Sequence, residues 1–84
     1  TLNQNYPNPF NPSTKISFTL PQSTNVKLSV FNALGEKIAE LMNEVKSAGT
    51  YDVDFNASEL SSGIYLYRLE AGEFIQTRKM SLMK

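Results

Sequence analysis

Apolar residues along this chain recur at every second position in most segments, the spacing of half-buried β-strands. Ile16, Phe18 and Leu20 alternate with Lys15, Ser17 and Thr19, and Pro21 stops the run. Val26, Leu28 and Val30 alternate with Lys27, Ser29 and Phe31 in a second strand. Asn32-Ala33-Leu34-Gly35 then supplies turn chemistry, with Gly35 free to take positive φ in a hairpin. After the break at Ser47-Ala48-Gly49, Tyr51, Val53 and Phe55 alternate with Asp52 and Asp54, a strand with one wet face. Asn56 to Gly63 reads as a loop with one turn near Ser58 to Leu60. Ile64 to Leu69 is apolar in both phases until Arg68, which predicts a central strand covered on both faces. Ala71-Gly72-Glu73 makes a turn, and Phe74 to Met83 forms the last strand with Met80 and Leu82 inward.

Two segments break the alternation. Leu2 to Pro12 reads LNQNYPNPFNP and holds three of the four prolines. Proline has no N–H and biases its predecessor toward extended geometry. The segment is therefore an irregular, extended lead-in that lies along a sheet or covers one end, with Tyr6 and Phe10 as anchors. Its spacing is not the PxxP of proline-recognition peptides. In the second segment, Ile38, Leu41, Met42 and Val45 fall at helical spacing among good helix formers, which favours an amphipathic helix over Glu36 to Lys46. Strands on both sides at short spacing argue instead for a short strand near Lys37 to Met42 with a bulge.

Short strands with Gly, Asn, Ser and Pro punctuation describe an all-β, antiparallel sandwich of immunoglobulin-like size. The 84 residues suit one domain, with residues 1–13 as lead-in and 14–84 as sandwich. A chain this size buries only about 60–65% of its unfolded surface, so the core is modest. With no cysteine, no disulfide staples it. The chain opens on Thr1 rather than Met, which reads as a fragment of a longer parent.

Charge and residue content narrow the chemistry. Eight basic and eight acidic residues cancel, leaving no surplus for displacing counterions from nucleic-acid phosphates. No apolar run approaches the ~20 residues that span a bilayer. No histidine is present, which removes the commonest general base and any Ser-His pair for Ser58, Ser61 or Ser62. Asp52, Asp54 and Asn56 match the opening of a calcium loop, but Ala57 stands at its glycine position and Gly63 at its terminal glutamate. The two aspartates lie about 7 Å apart on one strand face, with nothing to suggest a cleft around them. They read as a solvated face. Gly35, Gly49, Gly63 and Gly72 fall singly at turns and form no phosphate loop. Asn56-Ala57-Ser58 fits a glycosylation sequon that carries little weight by itself. Tyr6, Tyr51, Tyr65 and Tyr67 could line a sugar platform; a ring in the core with its hydroxyl on a neighbouring backbone is the simpler reading for Tyr65 and Tyr67. Arg78, Lys79 and Lys84, interleaved with Met80, Leu82 and Met83, make either a charged outer face that guards an edge or an extended element that a partner grips.

Taken together, LNQNYPNPFNPSTKISFTLP, VKLSVFNALGEKIAEL, SAGTYDVDF, LSSGIYLYRLEAG and TRKMSLMK closely resemble the type IX secretion (Por secretion system) C-terminal sorting domain, type A. The likeness runs in order along essentially the whole chain, on the branch similar to the immunoglobulin-like domain of flagellar hook-capping proteins. It implies an immunoglobulin-like sandwich of about seven strands, which tips Glu36 to Lys46 toward strand. It implies a non-catalytic module, without cofactor, at the C-terminus of a large exported protein. Such a module is recognised in the periplasm by the type IX machinery, carried to the outer-membrane surface or medium, and commonly removed by a sortase-like peptidase. From the charge balance and the lack of a long apolar run, no nucleic-acid partner and no stable membrane insertion are expected. By position, the family's terminal basic-and-apolar motif falls on Lys79, Met80, Leu82 and Lys84; with Arg78 these form the expected recognition element. Gly63, Tyr65, Tyr67 and Leu69 are expected to hold the fold. Two other readings are a carbohydrate-binding or spacer sandwich of a secreted glycan-active enzyme, with an exposed aromatic row, and a structural domain of a flagellar assembly protein.

Overall fold

A computed structural model describes residues 1–84. It contains no helix and six strands: β1 Ser13–Leu20, β2 Thr24–Asn32, β3 Lys37–Lys46, β4 Gly49–Asn56, β5 Gly63–Ala71 and β6 Phe74–Leu82. Every pairing between strands is antiparallel, in a β1-β4 sheet and a β3-β2-β5-β6 sheet. The alternating apolar residues of both sheets meet in one core: Ile16, Phe18 and Phe55 from the smaller, Val26, Leu28, Val30, Tyr67, Leu69, Met80 and Leu82 from the larger. Burying a side chain of this kind stabilises the fold by about 1.5–3 kcal/mol.

The segment with helical spacing is a strand. β3 pairs with β2 throughout, with register shifts between Leu28 and Ser29 and between Val30 and Phe31. Leu28 faces Met42 while Ser29 faces Glu40, so Leu41 is the extra residue of a bulge. The bulge lets neighbours Leu41 and Met42 both pack on the core, together with Ala39. That is how a strand comes to carry apolar neighbours at Leu41 and Met42; Ile38 and Val45, the other members of the helical spacing, are exposed.

The β2–β3 turn is held by Asn32, whose Oδ1 accepts from the amides of Leu34 and Glu36 at 3.0 and 2.9 Å. Gly35 takes a φ of 87° there. Gly72, at φ 64°, is the first residue of a two-residue turn closing Ala71 on Phe74. Gly49 and Gly63 open β4 and β5 instead of sitting in turns.

β5 is central in its sheet, yet only one of its faces is covered. Tyr65, Tyr67 and Leu69 point into the core, whereas Ile64 on the opposite phase is 42% exposed. No third layer lies over that face. Leu66 is half-buried there, and Arg68 stacks over the Phe31 ring at 4.6 Å.

The lead-in does the work of a further edge strand, though it forms only isolated bridges, Leu2–Phe18 and Tyr6–Lys15 against β1 and Phe10–Leu82 against β6. Its anchors are Leu2, Asn5 and Phe10, all buried. Tyr6, expected as an anchor, is 81% exposed. The bridge explains this: Tyr6 pairs with Lys15, whose side chain points outward, and bridged antiparallel partners share a face.

Candidate recognition surface

The lead-in crosses from the edge of one sheet to the edge of the other, and polar groups fasten it. Tyr67 sits on the inner face of β5, fully buried, with its phenol reaching the lead-in backbone. Its hydroxyl donates to the Asn3 carbonyl at 2.8 Å and accepts from the Asn5 amide at 2.8 Å. Arg78, opposite Tyr67 in the β5–β6 register, donates from Nε to the Leu2 carbonyl at 2.7 Å. The buried Asn5 side chain donates to Thr14 Oγ1 at 3.0 Å and to the Pro7 carbonyl at 3.1 Å. Thr14 donates to that same carbonyl at 2.9 Å. Proline-rich backbone has few donors and cannot form a regular ladder; the side chains of Asn5, Thr14, Tyr67 and Arg78 stand in for it.

Burial pushes the Tyr67 phenol above its ordinary value, with the Asn5 amide and the Arg78 charge acting in the opposite direction. The proton stays on the oxygen, as its donation to Asn3 requires.

The same lead-in also braces the end of β6. Gln4 Nε2 donates to the Lys79 carbonyl at 2.8 Å. The Ser81 amide donates to Asn8 Oδ1 at 2.9 Å. The Phe10 amide donates to the Ser81 carbonyl at 2.9 Å, and the Met83 amide to the Phe10 carbonyl at 3.0 Å. Lys84 is tied on the other side, its amide to Ser62 Oγ at 3.0 Å and its Nζ to the Ser58 carbonyl at 2.6 Å.

The expected recognition residues therefore separate. Met80 and Leu82 are fully buried, as their phase predicts, and no partner touches them while the domain is folded. Arg78 shares their inward phase and is spent on the lead-in, not on a charged outer face. Lys79 and Lys84 are exposed, and Met83, next to Lys84, is 60% exposed. Sequence reasoning placed the Tyr67 ring in the core with its hydroxyl on backbone, as found, but did not identify that backbone as the lead-in, and it missed Gln4, Asn5 and Asn8. The one available signal was the density of amides among prolines in LNQNYPNPFNP, side chains able to replace missing backbone partners.

The other constellations resolve into structural contacts. Asp52 accepts from Ser17 Oγ at 2.6 Å, Asp54 faces Lys15 across the β1–β4 pair, and Asn56 Oδ1 caps the Ser58 amide. No group of three or more His, Cys, Asp or Glu side chains has an arrangement suited to holding a metal ion. Tyr65 and Tyr51 donate to carbonyls four residues upstream, Ser61 at 2.6 Å and Ser47 at 2.7 Å. With Tyr65 and Tyr67 buried and Tyr51 half-buried, the tyrosines form no exposed row.

A family model described as a secretion system C-terminal sorting domain matches residues 4–83. No curated protein and no solved structure matches the chain.

Proposed function

The chain belongs to the secretion system C-terminal sorting domain family, and from that membership we propose which surface of the folded sandwich is read and at what stage. The domain is the C-terminal sorting signal of type IX secretion, part of a larger cargo protein destined for the cell surface or the extracellular space. Within that frame, the exposed end of the last strand is the element gripped by the machinery: Lys79, Met83 and Lys84, with Met80 and Leu82 holding the strand in place from inside. Recognition takes place in the periplasm on the folded domain. A sortase-like peptidase then separates cargo from module, which is substrate and address label and performs no catalysis of its own.

The observation that supports this reading is the division of β6. Its inward phase ends in the fully buried Met80 and Leu82, and its outward phase carries an exposed lysine at Lys79. The lead-in bonds at Lys79, Ser81 and Met83 keep that end extended. Secretion of a reporter fused before the domain tests it. Deleting Met83 and Lys84, or reversing charge with Lys79→Glu, is expected to lower the secreted fraction at least about tenfold while the domain stays folded. A tenfold loss corresponds to about 1.4 kcal/mol of recognition. Normal export of both variants would refute the assignment.

A further inference from the structure

The last strand runs past the ladder that holds it. Leu82 faces Gly63, the first residue of β5, so Met83 and Lys84 have no strand partner on that side. On the opposite edge the lead-in takes four successive backbone groups. Gln4 Nε2 bonds the Lys79 carbonyl and Asn8 Oδ1 the Ser81 amide, while the Phe10 backbone bonds the Ser81 carbonyl and the Met83 amide. Side chains thus supply half of what a neighbouring strand would give.

Gln4 and Asn8 differ from the residues that fasten the lead-in itself. Asn5, Thr14 and Tyr67 are buried, whereas Gln4 and Asn8 are exposed. The Gln4 amide gives one N–H to the Lys79 carbonyl at 2.8 Å and the other to Asn5 Oδ1 at 2.7 Å. Asn8 Oδ1 receives the Ser81 amide at 2.9 Å. The two positions therefore need opposite chemistry: position 4 must donate and position 8 must accept. A carboxylate can serve at 8 and cannot serve at 4. The Phe10 bonds come from backbone and survive any side-chain change, so residues 4 and 8 are where the sequence sets the pose of this strand end.

We propose that Gln4 and Asn8 are positioning residues of the sorting signal: without touching the secretion machinery, they fix the backbone from Lys79 to Met83 in the pose that is gripped. The proposal rests on the reading that Lys79, Met83 and Lys84 are the gripped residues. Its consequence is a composite signal, in which side chains of the lead-in and residues 79–84 are required together.

Secretion of the full cargo-bearing protein, with amide hydrogen exchange on the same variants, tests this. Asn8→Ala and Gln4→Glu are each expected to speed exchange over residues 79–84 and to lower the secreted fraction, both about fivefold, the equivalent of one net hydrogen bond. Asn8→Asp keeps the acceptor and should match the unmodified protein in both readings. Exchange around Tyr67 and the urea midpoint should hold in all three variants. Faster exchange over residues 79–84 with normal export would overturn the proposal. So would unchanged exchange there, failure of Asn8→Asp, or protection lost around Tyr67 as well, which would make the role a general structural one. Deleting Met83 and Lys84 in the same assay separates the two readings. If that deletion stops export while Asn8→Ala and Gln4→Glu export normally, only the positioning role falls. If the deletion exports normally, the grip assignment falls and takes this proposal with it.

Discussion

The lead-in and the end of β6 lie side by side, and their backbones are held by different means. β6 is fixed by a continuous ladder with β5 and by two side chains buried in the core. The lead-in, with three of the four prolines, makes only scattered bridges; Leu2 and Phe10 are buried in the core, and polar side chains hold the backbone between them. The difference teaches how two extended segments divide one task. Apolar packing gives β6 its place; directional hydrogen bonds let the lead-in follow two sheet edges at once. Because Tyr67 and Arg78 hold the lead-in, and Gln4, Asn8 and Phe10 hold the end of β6, each segment braces the other.

The widest separation between the two should come from Met80→Ala. Truncating a fully buried Met is expected to cost about 2–5 kcal/mol, read as a lower urea midpoint for the whole domain. A shift confined to the lead-in would break the comparison.

Next in size is Tyr67→Phe, which strands the Asn5 amide at a buried site and the Asn3 carbonyl at a partly buried one. About 1–3 kcal/mol should be lost, with faster amide exchange in residues 1–10 before any change in β6. Equal protection of the lead-in in both proteins would show that the phenol is incidental.

The pH dependence sharpens the same point. The folded phenol titrates above its unfolded value, so its contribution is fully present below about pH 10 and is lost as pH rises through the raised folded value. Alkaline melting curves of the unmodified domain should fall in this range, and Tyr67→Phe should flatten the decline. An identical alkaline slope in the two proteins would argue against Tyr67 as its source.

The smallest effect belongs to Tyr6→Ser. A side chain this exposed should alter stability by no more than about 0.5 kcal/mol. A large loss would restore Tyr6 as an anchor.

Much of the architecture was legible because period-two alternation reports which face of a strand is dry. Ile16, Phe18 and Leu20, Val26, Leu28 and Val30, and Met80 and Leu82 all point where their phase puts them. Phase alone was silent on β3, where the bulge at Leu41 puts the neighbours Leu41 and Met42 against the same core while Ile38 and Val45 stay exposed. It also misled at Ile64 to Leu69, since an apolar residue in the outward phase does not state whether another layer covers it. At the recognition surface, the lysines exposed in β6 and after it followed from the pattern, but Arg78 did not. A charged side chain in an inward phase is accommodated only where a carbonyl waits for it, and the Leu2 carbonyl comes from a segment 76 residues away.

By itself, then, the order of residues determined an all-β chain, its core strands, its turn at Gly72 and its family, because these depend on local spacing and local backbone freedom. Tertiary structure alone decided that Leu2 and Asn5, in place of Tyr6, join Phe10 in anchoring the lead-in, and that Arg78 turns inward to the Leu2 carbonyl. Those outcomes rest on hydrogen bonds between the first ten residues and the last third of the chain, and such long-range partners are chosen by how the two sheets pack, not by any neighbour in sequence.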